Sequence, residues 1–100
     1  IGDNSGQSCD NKITNAIQQV CARFSDYRHV VNGRFKGGWT TRHYGQPDDN
    51  VHAFQMELAQ HRYLESEKPP FLYDPVNANE LRKVLRTILH EINHIMSTTQ

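Results

Sequence analysis

The chain has 100 residues, with 11 basic and 11 acidic side chains and a formal net charge of zero. This length allows one domain at most. The balanced charge contains no Lys/Arg-rich run that would indicate nucleic-acid binding, and no apolar run is long enough for a membrane span or a signal-peptide core.

The first predicted element is a helix over residues 10–24. Apolar side chains recur there at three-and-four spacing, and Ser8 or Asp10 is placed to cap the first turn. Cys21 falls on the apolar side of this helix, which favours a reduced, buried thiol in a cytosolic protein. A disulfide with Cys9 is the alternative.

The middle of the chain has the composition of extended structure. DYRHVVNGRF, residues 26–35, predicts a strand that ends near Asn32-Gly33. KGGWTT, residues 36–41, predicts a short β-prone piece after a glycine pair. YGQPDDN, residues 44–50, is typical of a turn. VHAFQMEL, residues 51–58, predicts a second strand, and SEKPPFLYDP, residues 66–75, predicts an extended connection because prolines disfavour helix.

The last predicted element is a long helix that ends near Ser97. Asn77 and Glu80 resemble a capping pair at its start, and an apolar stripe follows at helical spacing. The order of helix, two or three strands and helix predicts an α/β or α+β unit.

This helix contains a possible metal motif, His90-Glu91-Ile92-Asn93-His94. The HExxH pattern can place two imidazoles on a zinc ion with the glutamate as general base. Both histidines fall on the polar side of the helix, however, and no His, Asp, Glu or Cys follows to supply a third ligand. A solvated helix face explains the pair without a metal and is the favoured interpretation, and a small zinc metalloprotease is the alternative function.

Segment 51–58 carries the candidate catalytic side chain. In an extended segment alternate side chains share a face, which would direct Phe54, Met56 and Leu58 to the core and Glu57 to a polar cleft. A glutamate on a half-exposed strand, or one in a structural ion pair, is the alternative.

The pair Arg42-His43 precedes the turn and is a candidate to bind a substrate carboxylate. Arginine always carries its charge and offers a bidentate fork of donors. The glycines Gly37 and Gly38 would let the backbone approach a ligand closely, or would only form a bend. For Arg42 and His43 the alternative is an exposed pair without a ligand.

Three segments of the sequence resemble a known family: VVNGRFKGGWTTRHYGQP, VHAFQMELAQHRYL and, more loosely, IGDNSGQSCD. The family they resemble is the N-formylglutamate deformylase family, also called the N-formylglutamate amidohydrolase family. The PPFLYDP linker and the final helix also suit the C-terminal part of that family. The resemblance covers nearly the whole chain. It implies an α/β fold with a mixed sheet flanked by helices, of the zinc-exopeptidase-like (phosphorylase/hydrolase-like) kind. Residues 1–100 would be only a partial domain, the C-terminal portion.

The resemblance also implies roles for individual residues. Glu57 would be the catalytic glutamate that activates a metal-bound water, and Arg42, His43, Asn32 and Arg34 would bind the substrate carboxylates or the developing oxyanion. The implied cofactor is a divalent metal, with zinc expected. Its ligands are expected outside this chain, because the His-Ser-Gly motif near the start of the family is missing here. We therefore assign no metal ligand within the chain.

The expected function is hydrolysis of N-formyl-L-glutamate to formate and L-glutamate, a step of histidine degradation, by a cytoplasmic, metal-dependent amide hydrolase. The chain opens with Ile1 rather than Met, which is typical of a fragment or of a processed chain. The resemblance implies a fragment whose partner is the missing N-terminal part of the same enzyme. By itself the fragment is expected to be inactive. A non-catalytic folded fragment is the second alternative.

Overall fold

The structure is a computed structural model that describes residues 1–98, and helices dominate it. The helices are α1 (Asn11–Arg23), α2 (Trp39–Tyr44) and α3 (Pro75–Thr98), with 3₁₀ turns at Pro47–Asp49 and Gln60–Arg62. In this part of the chain the only β pairings are three isolated antiparallel bridges, Gly2 with Gln55, Gln46 with Val51, and Leu64 with Tyr73.

Helix α1 confirms the helix predicted for residues 10–24. Asp10 is its cap, because the Asp10 carboxylate accepts a hydrogen bond of 2.8 Å from the backbone N–H of Lys12 and satisfies one of the free donors of the first turn. The apolar stripe is buried at Ile13, Ile17 and Val20.

Helix α3 confirms the long helix, but the predicted capping pair Asn77 and Glu80 is wrong. The Asp74 carboxylate caps the helix instead, accepting from the backbone N–H groups of Val76 at 3.1 Å and Asn77 at 3.0 Å. Helix α3 has an amphipathic pattern, and none of the helices described is apolar over a length that could span a membrane.

The core lies where α1 packs against α3. It is formed by buried apolar side chains from both helices and the preceding loop, namely Cys9, Ile13, Ile17, Val20, Cys21, Val84 and Ile88. Phe54 and Met56 of the extended segment pack on this cluster, as the alternation predicted, but Leu58, which was predicted for the same face, is half-buried and not part of it. Leu89 is an apolar residue at helical spacing in α3, but its side chain is 62% exposed.

The predicted mixed sheet is contradicted, because residues 1–98 form no strand. Residues 36–41 do not continue as a β-prone piece; Gly37 has a φ of 118° and Gly38 precedes the first turn of α2. A Cβ at Gly37 would lie 2.9 Å from Cγ2 of Thr41, so the approach of this turn to α2 requires glycine.

The strand predicted for residues 26–35 is also missing. Within residues 1–98 its backbone hydrogen-bonds to distant segments at three isolated points. The carbonyl of Asp26 accepts from the guanidinium of Arg62, the carbonyl of Val30 accepts from the amino group of Ile1, and the N–H of Asn32 donates to the carbonyl of Ile1. Asn32 has a φ of 53°, a left-handed conformation that interrupts an extended chain.

Segment 51–58 is extended but forms no continuous ladder with any other segment of residues 1–98. Its neighbour, residues 2–8, curls away between two contacts, with positive φ values at Asn4, Ser5 and Gly6. Consequently Gln55 pairs with Gly2, and Ala53 bonds to Ser8, with no regular pairing between these points. The turn predicted for residues 44–50 is confirmed and is closed by the bridge between Gln46 and Val51.

Candidate functional site

Glu57 lies at the exposed end of the extended segment and is joined to the start of α2 through Gln55. The Gln55 side chain donates from Nε2 to Oε2 of Glu57 at 3.1 Å, and its Oε1 accepts from the backbone N–H of Gly38 at 2.8 Å. The backbone of Gln55 is itself fixed by two hydrogen bonds to Gly2. One glutamine amide therefore connects the candidate catalytic carboxylate to the helix that carries Arg42 and His43. The sequence does not reveal this bridging role of Gln55, because Gly38 lies 17 positions away along the chain.

Arg42 and His43 lie on the exposed side of α2, while Thr41 on the same helix is buried. The Arg42 guanidinium donates from one terminal nitrogen to the carbonyl of Gly37 at 2.9 Å, so the side chain folds back towards the glycine pair. The same turn that meets Gln55 thus also positions Arg42.

The His43 ring belongs to an aromatic cluster on the surface of α2. It stacks on Trp39 with ring centroids 4.2 Å apart and planes inclined by 13°, and it meets the edge of Tyr44 at 4.8 Å. Trp39 and Tyr44 are 60% and 58% exposed, which makes this an unusual concentration of solvent-facing aromatic surface. His43 has its ring face covered by Trp39.

Asn32 occupies a different place, inside a polar network at the N-terminus. Its Oδ1 accepts from the backbone N–H groups of Asp3 and Ser5, and its Nδ2 donates to Oδ1 of Asp3 at 2.6 Å. The side chain therefore holds the N-terminal turn, and none of its hydrogen bonds within residues 1–98 reaches Glu57 or Arg42.

Asp3 is the centre of that network and was not singled out from the sequence as a site residue. Its carboxylate, 2% exposed, also accepts from the hydroxyl of Thr14 and the backbone N–H of Gly6, both at 2.8 Å. Burial raises the pKa of the Asp3 carboxyl, but hydrogen bonds from Asn32, Thr14 and Gly6 outweigh it and hold the pKa below its ordinary value of 3.8. The network fixes the turn that presents Gly2 to Gln55.

Arg34 and Glu57 both border an open cavity of about 480 Å³ between the extended segment and α3. The lining is mainly apolar and includes Met56, Leu58 and Leu85. The Arg34 guanidinium lies 5.7 Å from the ring centre of Phe35, and the Phe35 side chain is itself 53% exposed. A cationic and an anionic side chain thus share the rim of one apolar cavity.

The two cysteines are free and buried, as predicted for Cys21. Burial raises the pKa of the Cys9 and Cys21 thiols, so both are poor nucleophiles at neutral pH. Neither is a candidate for catalysis.

His90 and His94 are both exposed on α3, as predicted. No group of three or more His, Cys, Asp or Glu side chains within residues 1–98 is arranged to hold a metal ion. The HExxH motif therefore has no third protein ligand in the described part of the chain, and the metalloprotease alternative gains no support.

Comparisons with known proteins identify the same family that the sequence segments around this site resemble. The family model of N-formylglutamate amidohydrolase matches residues 1–64, the part that contains Glu57, Arg42 and Asn32. The N-formylglutamate deformylases of Pseudomonas aeruginosa and Pseudomonas putida are 48% and 46% identical to the chain over 92 residues. Each match covers 92% of this chain and 34% of the relative, so the chain spans about a third of the length of these relatives. No solved structure matches the chain. With its family match over most of the sequence, the chain belongs to the N-formylglutamate amidohydrolase family.

Proposed function

We propose that this chain is the C-terminal part of an enzyme that hydrolyses N-formyl-L-glutamate to formate and L-glutamate in histidine degradation. The family membership and the names of the two Pseudomonas relatives support the reaction and the substrate. The observation that carries the assignment of residues is the side chain of Gln55, which holds Glu57 on one side and the start of α2 on the other.

Glu57 is the proton-transfer residue of this proposal. Its carboxylate receives one hydrogen bond within residues 1–98, from Gln55 to Oε2, which fixes its orientation and leaves Oε1 to accept a proton from the attacking water. The same carboxylic acid then protonates the leaving amine of glutamate. General acid–base assistance of this kind typically contributes about 10²–10⁴ in rate.

Arg42 is the residue proposed to bind a carboxylate of the substrate. Its contact with the carbonyl of Gly37 uses one terminal nitrogen and leaves other N–H donors of the guanidinium for a ligand. Arg34, on the cavity rim with Glu57, is a candidate for the second carboxylate. His43 and Asn32 contribute less directly, since Trp39 covers the His43 ring and Asp3 engages the Asn32 amide.

The metal expected from the family resemblance has no set of three protein ligands among residues 1–98. We therefore propose that its ligands come from the remaining two-thirds of the enzyme, and we assign no chemical step to this chain through the metal. The free thiols of Cys9 and Cys21 are consistent with the proposed cytoplasmic location.

The decisive experiment replaces Glu57 by glutamine in the complete enzyme. Glutamine has nearly the same size but cannot take up the proton, so kcat for formate release should fall about 10²–10⁴-fold while the thermal midpoint stays the same. Glu67→Gln is the matched control, because Glu67 is also exposed and lies outside the site. A Glu57→Gln enzyme with a lower thermal midpoint but normal kcat would assign Glu57 a structural role.

A further inference from the structure

Among the described residues 1–98, the extended segment 51–58 uses one of its two edges for backbone hydrogen bonds. Val51 exchanges two backbone bonds with Gln46, and Gln55 exchanges two with Gly2. Between them, the N–H of Ala53 donates to the carbonyl of Ser8 at 2.8 Å, and the Ser8 hydroxyl donates to the carbonyl of Ala53 at 2.8 Å. These odd-numbered residues all direct their backbone groups to the same side.

The even-numbered residues direct their backbone groups to the opposite edge. Within residues 1–98 the backbone N–H and carbonyl groups of His52, Phe54 and Met56 have no hydrogen-bond partner. In an extended chain alternate residues face alternate edges, so the three form a continuous row of free donors and acceptors. Such a row is a template for pairing with another extended segment.

The free edge leads into apolar surface that is also uncovered. Met56 lines the cavity of about 480 Å³, and the lining also includes Leu81, Leu85 and Ile88 of α3. Val30 and Phe35 also line this cavity and remain 62% and 53% exposed. An edge that needs hydrogen bonds and a cavity that needs apolar side chains thus lie side by side.

We propose that the free edge of residues 52–56 and the adjoining cavity receive an extended, apolar segment from the part of the enzyme outside these 100 residues. The chain spans only 34% of the length of its Pseudomonas relatives. A longer enzyme of this family would therefore have a large additional polypeptide that can supply this segment. The backbone of that segment bonds to His52, Phe54 and Met56, and its apolar side chains fill the cavity beside Leu85.

This inference rests on the proposal that the chain is part of a longer amidohydrolase, and it identifies where the two parts meet. Glu57 lies between Met56 and Leu58, both of which line the cavity, so the docked segment ends next to the candidate catalytic carboxylate. The interface would bring the remaining part of the enzyme to Glu57.

The test is amide hydrogen exchange in the complete enzyme, which needs no assumption about catalysis. We expect the amides of His52, Phe54 and Met56 to exchange at least about 100-fold more slowly than unprotected amides, on the scale seen for stable backbone bonds. The amides of Val51 and Gln55 are internal controls, because their hydrogen bonds lie within this chain. Protected controls beside unprotected amides at His52, Phe54 and Met56 would overturn the proposal.

A pair of variants examines the cavity side of the interface. Leu85→Glu places a charge on the cavity wall, whereas Leu89→Glu, one turn later, changes an exposed side chain that is not part of the wall. Leu85→Glu should speed exchange at Phe54 and Met56 at least about 10-fold and leave Val51 unchanged, and Leu89→Glu should alter none of them. Equal effects of the two variants would contradict the proposal, and should Leu85→Glu fail to fold, exchange in the unmodified enzyme decides alone.

Protection that disappears on dilution would identify a second copy of the protein as the occupant and likewise overturn the proposal. Because activity is not the readout, a loss of the Glu57 assignment would leave this result unchanged.

Discussion

Replacing Asp3 by asparagine should destabilise the fold strongly, although the two side chains have nearly the same shape. The Asp3 carboxylate is 2% exposed and accepts hydrogen bonds from the backbone of Gly6, the amide of Asn32 and the hydroxyl of Thr14. Asparagine offers one acceptor oxygen and an N–H₂ group, so it cannot accept all three bonds in place.

The magnitude follows from the number and kind of these bonds. A hydrogen bond to a charged group contributes about 1.5–3 kcal/mol and a neutral one about 0.5–1.5 kcal/mol, so three bonds that lose their charge assistance cost about 3 kcal/mol. The smaller penalty for burying a neutral amide offsets part of this loss. We expect a net decrease of about 2 kcal/mol in the free energy of unfolding, which corresponds to about 1 M in the urea midpoint.

The pH dependence gives a second, independent signature. The folded-state pKa of Asp3 lies below its ordinary value of 3.8, so the carboxylate contributes its stabilisation fully above that value and loses it as the pH falls through the lowered folded-state pKa. The difference between the unmodified chain and Asp3→Asn should therefore be constant from pH 5 to 7, on the scale of ordinary carboxylate titration, and should shrink below about pH 4.

Urea unfolding followed by circular dichroism at several pH values measures both effects. Asp26→Asn is the matched control, because Asp26 is exposed and its carboxylate has no hydrogen bond in the described structure. Equal midpoints for Asp3→Asn and Asp26→Asn at pH 7 would refute the hydrogen-bond argument. A difference that persists unchanged at low pH would show that charge is not its source.

Three further predictions concern the site and the motif on α3. Arg42→Lys in the complete enzyme should raise KM for N-formylglutamate more than it lowers kcat, because lysine keeps the charge and loses the fork, and an unchanged KM would remove Arg42 from the site. The double substitution of His90 and His94 by alanine should leave kcat within a few-fold of the unmodified enzyme. It should change the free energy of unfolding by less than about 0.5 kcal/mol per site, because both side chains are exposed. Inactivity of a folded, metal-depleted double variant would instead support a metal role. The 100-residue chain alone should release no formate from N-formylglutamate with added Zn²⁺ or Co²⁺, since residues 1–98 provide no metal-ligand cluster, and measurable turnover would contradict this.

The sequence alone determined the two long helices and the family. Helices α1 and α3 could be predicted because helical hydrogen bonds are made within the segment itself, so local apolar spacing and a nearby cap such as Asp10 contain most of the information. The exposure of His90 and His94 follows from the same spacing. The family was recognisable because its longest matching words lie within residues 1–64, where the family model also matches.

Only the tertiary structure decided the conformation of the middle of the chain and the hydrogen-bond partners of its polar residues. An extended segment makes its hydrogen bonds with a distant partner, and composition does not reveal where that partner is or whether it bends away, as residues 2–8 do beside segment 51–58. For the same reason the sequence does not reveal that the amide of Asn32, a candidate to bind the substrate, donates to Asp3, 29 positions earlier. Gln55 reaches Gly38 across 17 positions, and such contacts exist only once the helices have fixed the loops between them.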